Sequence, residues 1–368
     1  MKTTMRSLLS LTALLAGLPA PDAAEPAAVT ARTLGREGVA AYEAKDYPLF
    51  LAKMEAAVAL RPDYPRLLVN LAAAQTVTGH AEAAVASLSQ LAALGVHSPV
   101  VKGDEFVPLR NRDDFKAVCA RLAANLLPAG AGELAFTVPG MTGLIEGIAW
   151  REKTGEFFLG DVHTRCVWVR TADGKVRRFS GEESDVLGVF GLAVDETNRA
   201  LWAATSALPA MQGYTKELDG AAGVAEFDLV SGKLRRVARL PADGKQHVLG
   251  DLTLAPDGSV FLPDSGEPVL WRLAPGAAVP EVFLESPEFM SLQGVIITPN
   301  GKTAILSDYA NGLLRVDLAT RALSQLAAPP NTTLLGLDGL ALAPDGSVLA
   351  VQNGARPKRI LRLTLDAA

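Results

Sequence analysis

The chain has 368 residues, 49% of them hydrophobic and 20% charged, so it can bury a large core and is long enough for two domains. Its formal net charge is −5, its pI is near 5.5, and its Lys and Arg residues are dispersed. No basic surface of the kind that binds a phosphate backbone is expected, which excludes nucleic acid as a partner.

Residues 1–24 have the composition of a secretory signal peptide. Lys2 and Arg6 precede the apolar run LLSLTALLAGL, and small residues and prolines follow, with cleavage expected between Ala20 and Ala24. A membrane anchor is the alternative, but this run is shorter than the ~20 residues that span a bilayer. The sequence predicts a periplasmic or secreted protein with no membrane span after signal removal.

Residues 30–125 form the first predicted domain, which is rich in Ala and Leu at helical spacing. Asp46-Tyr47 and His80-Ala81 stand 34 residues apart at matching turns, and the stretch RPDYP supplies a helix stop and restart. This period favours tetratricopeptide-like helix pairs, with a plain helical bundle as the alternative. Such repeats would offer a surface to a protein partner.

The stretch LLPAGAGE, residues 126–133, is a predicted linker, and residues 134–368 change from helical to alternating periodicity. Units of strand, turn, strand, connection, strand, turn and strand recur at roughly 42 to 45 residues, with turns such as PDG and PNG. This pattern predicts the blades of a β-propeller.

Five repeats are recognisable, and the last has room for only three strands before the printed sequence ends. We expect the stretch ELAFTV, residues 133–138, to supply its fourth strand and so remove an exposed edge. Two alternatives stay open: a five-bladed ring, or a six-bladed type that lacks its last blade.

The stretches LIEGIAW with FFLGDV, SLQGVIITPNGKTAILSDY and LDGLALAPDGSVLAVQNG resemble the senescence marker protein/gluconolactonase family of β-propellers. This resemblance covers roughly residues 134–368. It implies a mainly β fold, a six-bladed propeller of the lactonase type, with a divalent metal, often calcium, in the central channel. It also implies hydrolysis of a sugar lactone by water that an aspartate activates.

By this resemblance, Glu146 and Asp338 match a Glu and an Asp of the metal site, and Asp338 also matches the catalytic base. Gln293 stands where one Asn is expected, so an amide oxygen is kept. Gly250 stands at the remaining Asn position and supplies no ligand, whereas Asp251 could replace it if the strand shifts. The expected metal ligands are therefore Glu146, Gln293, Asp338 and Asp251.

Another polar residue stands near the end of each second strand of a repeat. In propellers such residues often bind backbone groups of neighbouring strands, and the alternative is that they ring the pocket and contact a hydroxylated substrate. The candidates for substrate binding are Asp161, Asp264, Asp308 and Asn353.

Two functions are consistent with the sequence. The first is an exported hydrolase that acts on a lactone or related ester with a divalent metal, and the second is a non-catalytic protein that binds a ligand or a protein through its propeller and helical repeats. Glu146 and Asp338 favour the first, whereas Gly250 and the incomplete last repeat favour the second.

Overall fold

Helices and a β-propeller follow one another along the chain, as a computed structural model shows for residues 25–130, 132–181 and 185–365. The predicted signal peptide lies outside the described residues. Within them, no helix combines the length and the apolar character that crossing a bilayer requires.

Five α-helices form the N-terminal region around their own buried core, which includes Phe50, Met54, Leu68, Leu88 and Phe106. The α2 helix begins where the sequence predicts a turn, because the Asp46 carboxylate accepts a hydrogen bond from the Leu49 N–H at 3.1 Å and caps the helix. The assignment of these helices to tetratricopeptide repeats stays a prediction. The helices are α1 (Ala27–Glu43), α2 (Tyr47–Leu60), α3 (Pro65–Val77), α4 (Ala81–Ala93) and α5 (Asp113–Ala124), with 3-10 turns at Pro99–Lys102 and Asp104–Leu109.

The remaining chain forms five antiparallel sheets in sequence order, which are the five predicted blades, so the propeller prediction is confirmed. Blade 1 has β1 (Ile145–Arg151), β2 (Glu156–Asp161), β3 (Cys166–Arg170) and β4 (Val176–Arg178). Blade 2 has β5 (Gly188–Asp195), β6 (Ala200–Ser206), β7 (Ala222–Asp228) and β8 (Leu234–Arg239), with a 3-10 turn at Lys216–Leu218.

The next two blades also have four strands each, whereas the fifth has three. Blade 3 has β9 (Thr253–Leu254), β10 (Val260–Pro263), β11 (Val269–Leu273) and β12 (Glu281–Glu285). Blade 4 has β13 (Leu292–Ile297), β14 (Thr303–Asp308), β15 (Gly312–Asp317) and β16 (Leu323–Gln325). Blade 5 has β17 (Leu337–Leu342), β18 (Val348–Gln352) and β19 (Arg359–Leu363).

The ring is open between blade 5 and blade 1. Separate apolar clusters fill the four interfaces between consecutive blades, and the described residues include no such cluster between blades 5 and 1. On the two facing sheet surfaces, Ile148 and Trp150 of β1 remain 60% and 54% exposed, and Ile360 of β19 remains 70% exposed. The described chain therefore contains five blades with one uncovered side.

The predicted closing strand is wrong. Residues 133–138 form no strand, and blade 5 keeps three strands. Phe136 instead packs on the open side of blade 1, with its ring centroid 4.8 Å from that of Phe157 and the Arg170 guanidinium 4.3 Å above it. Contacts with an aromatic ring and a cation thus hold this segment on the first blade rather than beside the last.

The helical region is attached to blades 4 and 5. The buried Arg61 guanidinium donates to Asn311 Oδ1 at 3.0 Å, and Arg359 donates to the Gly95 carbonyl at 2.9 Å. The His97 N–H donates to the Arg356 carbonyl at 2.7 Å. Because Asn311 and Arg356 lie in the loops between the second and third strands of their blades, the helices cover one end of the propeller there.

Candidate functional site

One end of the central channel, which we call the mouth, is where the innermost strands of the blades begin. Strand register places the last residue of each second strand at the same end, as in the pairs Ile145 with Asp161 and Leu292 with Asp308. The predicted site residues therefore gather at the mouth, on the end of the propeller that also carries the helices.

The innermost strands that carry predicted ligands each have a β-bulge near their start. The ligand residue in the bulge lies outside the regular hydrogen-bonded pairing of the sheet. The register shifts between Ile145 and Gly147 in blade 1, and between Leu337 and Leu340 in blade 5. Bulges change the direction of a side chain and are frequent beside active sites. The same shift in blade 4 contains Gln293, so three predicted ligands occupy equivalent irregular positions.

A glycine follows each of these residues, and in blades 1 and 4 the innermost strand of the next blade approaches it closely. A Cβ atom on Gly147 would lie 2.0 Å from the Phe190 carbonyl oxygen of blade 2, and one on Gly294 would lie 2.7 Å from the Leu340 nitrogen of blade 5. Gly147 and Gly294 thus face the next blade, whereas a Cβ atom on Gly339 would meet nothing within 4 Å. The pairs Glu146-Gly147, Gln293-Gly294 and Asp338-Gly339 give the channel one side chain per strand.

In blade 3 this order is reversed, since Gly250 comes first and Asp251 follows. A Cβ atom on Gly250 would meet nothing within 4 Å, whereas the Asp251 carboxylate reaches blade 4 and accepts the Val295 N–H at 3.2 Å as well as the Leu252 N–H at 2.9 Å. Both Asp251 oxygens thus accept backbone N–H groups, one of them from the next blade, and we leave Asp251 out of the proposed metal ligands.

The carboxylates of Glu146 in blade 1 and Asp338 in blade 5 interact electrostatically. Burial, and then the negative charge of Asp338, raise the pKa of Glu146 above its usual value. Within the described part of the chain, neither Glu146 nor Asp338 forms an ion pair with a basic side chain. The mouth is therefore a site of uncompensated negative charge, which attracts cations.

Asn353 holds Asp338 in place. Its amide Nδ2 donates a hydrogen bond to Asp338 Oδ2, which fixes the direction of the carboxylate. The other amide atom, Oδ1, is buried and has no hydrogen-bond partner among the described residues. A buried acceptor without a partner is costly, so this oxygen is available to a cation or to a ligand hydroxyl.

The other three candidates for substrate binding form hydrogen bonds within the fold. Asp161, Asp264 and Asp308 are at most 1% exposed, and each accepts backbone N–H groups from the loop that enters its blade and from the turn after its own strand. Asp161 and Asp264 also accept the indole N–H groups of Trp168 and Trp271. Their oxygens are occupied, so we do not include them in the proposed site.

Two residues beside Asp338 were not singled out from the sequence. Ser307 Oγ accepts the Gly294 N–H at 2.7 Å and donates to the Asp338 carbonyl oxygen, which joins the two bulges. Tyr309 is 38% exposed, and burial together with the Asp338 charge raises the pKa of its hydroxyl. A Cβ atom on Gly354 would lie 2.7 Å from Tyr309 Oη, so the absence of a side chain at Gly354 makes room for the ring.

Oxygen donors at the mouth fit a hard divalent cation in part. Glu146 and Asp338 supply carboxylates, and Asn353 and Gln293 supply amide oxygens, which are the ligand types that calcium prefers. No group of three or more His, Cys, Asp or Glu side chains in the described residues is placed to hold a metal. A cation here would depend on amide oxygens, on water and on the bound ligand.

We expect the stability of the protein to fall as the pH rises from about 4 to about 7, because of Asp251. Burial raises the pKa of Asp251 from 3.8 to about 7 in the folded protein. Between these two pH values the folded state keeps a proton that the unfolded chain has released. The stability that protonated Asp251 contributes is therefore fully present below pH 4 and is lost as the pH rises to 7. Three pKa units correspond to ~4 kcal/mol, and because Asp251 is partly exposed we expect ~2 kcal/mol.

Urea unfolding between pH 4 and pH 8 measures this dependence. Asp251→Asn should remove most of the decline, whereas Asp257→Asn, in the hairpin turn of the same blade, should retain it. Identical pH profiles for the wild type and Asp251→Asn would show that Asp251 is ionised throughout.

Comparison with known proteins gives a likeness of fold. No family model matches the chain, and no curated protein does. Among solved structures, a gluconolactonase from Xanthomonas campestris is 16% identical with a TM-score of 0.44, over 57% of this chain and 70% of that one. A luciferin-regenerating enzyme is 15% identical with a TM-score of 0.42, over 61% and 74%.

A catalytically inactive variant of virginiamycin B lyase from Staphylococcus aureus is 12% identical, with a TM-score of 0.41 over 63% of this chain and 87% of that one. We draw no argument about function from similarity at this level. The proposals below therefore rest on the residues at the mouth and on the resemblance of the sequence motifs.

Proposed function

We propose that the mouth binds a small hydroxylated lactone or related ester and hydrolyses it. One observation carries this proposal: Glu146 of the first blade and Asp338 of the last occupy equivalent β-bulges at the start of their innermost strands, so both carboxylates stand at the mouth. Two carboxylates at the end of a channel can bind a cation and orient a water molecule.

Asp338 is the proposed base. The hydrogen bond from Asn353 fixes the direction of this carboxylate, so it can accept a proton from an attacking water. The water oxygen forms a bond to the lactone carbonyl carbon, and the ring C–O bond breaks. The proton that Asp338 has accepted then passes to the leaving alkoxide, which regenerates the Asp338 carboxylate. The product is the open hydroxy acid.

A divalent cation, for which calcium is our first choice, would be held by Glu146, Asp338, Asn353 and Gln293. When bound, such an ion polarises a carbonyl group and orients the substrate. The Gln293 amide nitrogen donates to Ser291 Oγ at 3.0 Å, so its oxygen remains available for this role.

The direct test is hydrolysis of aldonolactones by the purified protein, followed as acid release in a pH-stat. Calcium, manganese and zinc would each be added to protein first treated with a chelator. We expect turnover that rises with at least one of these ions and is lost on chelation. Absence of turnover with every ion would refute the hydrolase proposal for these substrates.

Gly250→Asn should strengthen cation binding about tenfold or more, because it adds an amide oxygen where a Cβ atom has free space. The matched control is Gly339→Asn, which also has free space at the Cβ position but follows Asp338 in the bulge. Calorimetric titration with calcium gives both affinities. Equal affinity of Gly250→Asn and the wild type would place the cation away from this position, or nowhere in the channel.

A second candidate is a non-catalytic binding protein. It is favoured by the attachment of the helices at the mouth end, through the contact between Arg61 and Asn311, and by the absence of a side chain at Gly250. In that case lactones would bind and protect the protein against thermal unfolding without being consumed. Thermal shift measured beside the turnover assay distinguishes the two functions.

Export to the periplasm or the medium remains part of the proposal and rests on residues 1–24 of the sequence. N-terminal sequencing of the protein recovered from cell fractions tests it. A mature chain that begins between residues 21 and 25 is expected, and a cytosolic chain that begins at Met1 would contradict it.

A further inference from the structure

A cavity of about 290 Å³ lies between α1 and α3, and no channel residue lines it. Its apolar wall comes from Gly35, Val39 and Leu67, and a Cβ atom on Gly35 would be 2.9 Å from Leu67 Cδ2. The glycine therefore lets α3 approach α1 and still leaves a cleft above the contact. The volume is at the lower end of small-molecule sites, which is ~300 Å³.

Three arginines line this cleft: Arg32 and Arg36 from α1 and Arg66 from α3. Among the described residues, the guanidinium of Arg32 has one hydrogen-bond partner, the Met290 sulfur at 3.9 Å, and that of Arg36 donates to Thr33 Oγ1 at 3.3 Å. No carboxylate of the described chain forms an ion pair with any of the three. Three positive charges thus face one cavity in a protein whose net charge is −5.

Nearby acidic residues are engaged elsewhere. Glu37 pairs with Lys53 at 2.6 Å, and Asp63 pairs with Arg61 at 3.1 Å. Like charges four residues apart on a helix, such as Arg32 and Arg36, also destabilise it slightly. Selection for helix stability alone does not account for this arrangement, whereas an anionic ligand would compensate it.

We propose that this cleft binds a small organic or inorganic polyanion, that is, a molecule with two or more carboxylate or phosphate groups. The guanidinium group presents paired N–H donors that match both of these anions. The side chains of Asn70 and Tyr64, which also line the cleft, add polar contacts for hydroxyl groups of the ligand. This site is independent of the proposed hydrolase activity, because no channel residue contributes to it.

Isothermal titration of the purified protein at low salt, with citrate, inorganic pyrophosphate and acetate, tests the proposal. We expect citrate or pyrophosphate to bind once per chain, at least tenfold more tightly than acetate, and more weakly as salt rises. Arg36→Gln and Arg66→Gln should each weaken the binding about tenfold or more.

Two controls make the result specific. Arg121→Gln removes the same charge from the exposed end of α5 and should leave the affinity unchanged, as should Asp338→Asn at the mouth. Circular dichroism melting establishes that the exposed Arg36 and Arg66 variants stay folded. Lack of binding by both polyanions, or equal weakening by Arg121→Gln, would overturn the proposal, as would binding of an acidic hexapeptide when neither small polyanion binds.

Discussion

Replacing Asp308 by alanine should lower the free energy of unfolding by about 4 kcal/mol, because four backbone N–H groups around a buried carboxylate would lose their acceptor. Asp308 is completely buried at the end of β14, and its oxygens accept from Met290, Ser291, Ala310 and Asn311 at 2.7 to 2.9 Å. These bonds tie the loop that enters blade 4 to the turn that leaves β14. For a domain of this size we expect the melting temperature to fall by about 8 to 16 °C.

Thermal unfolding followed by circular dichroism, together with urea titration, measures this loss. Asp317→Ala is the matched control, since Asp317 accepts from Ala319 and Thr320 in a similar turn that water can reach. That change should cost only about 1 kcal/mol. Equal effects of the two substitutions would mean that Asp308 does not stabilise the fold through its buried hydrogen bonds.

The repeated hairpins are the part of the fold that can be predicted from the sequence. Alternating apolar residues bounded by PDG or PNG turns specify short antiparallel strands, and Gly258 and Gly346 adopt positive φ angles of 82° in these turns. Such information is local, so it predicts blades one at a time. How the ring closes depends on contacts between its first and last blades, for which no local signal exists.

The error at residues 133–138 shows this limit. Alternation in ELAFTV is consistent with a strand, but it does not specify the partner of that strand. Phe136 finds an aromatic ring at Phe157 and a cation at Arg170 on the blade that directly follows it in the chain. Packing on this nearby surface is thus more favourable than pairing with the distant edge of β19, because closing the shorter loop costs less chain entropy.

At the candidate site, the sequence identifies the residue types and their positions on the strands, but not the directions in which the side chains point. The one-residue exchange of Gly250 and Asp251 decides whether a carboxylate enters the channel or binds the Val295 N–H of the next blade. Asn353 lies one position beyond Gln352, which pairs with Leu337, and this extra step lets it reach Asp338. Tyr309 comes beside the site only because consecutive blades pack together.

Asp338→Asn should reduce kcat/KM for lactone hydrolysis about 100-fold or more, because an amide cannot accept the proton of the attacking water. The substitution keeps the size of the side chain and an oxygen that can accept the Asn353 Nδ2 hydrogen bond, so the fold should be retained. Asn353→Ala leaves the carboxylate but removes the group that directs it, and we expect a smaller loss of about tenfold.

The control for Asp338→Asn is Asp345→Asn, which changes an aspartate of the same blade in the exposed turn where it binds Ser347 and Arg362. Its activity should equal that of the wild type. Initial rates over a range of lactone concentrations separate kcat from KM, and a base acts mainly on kcat. If Asp338→Asn retained activity within threefold, Asp338 would not be the base, and Glu146 would be the remaining carboxylate to test.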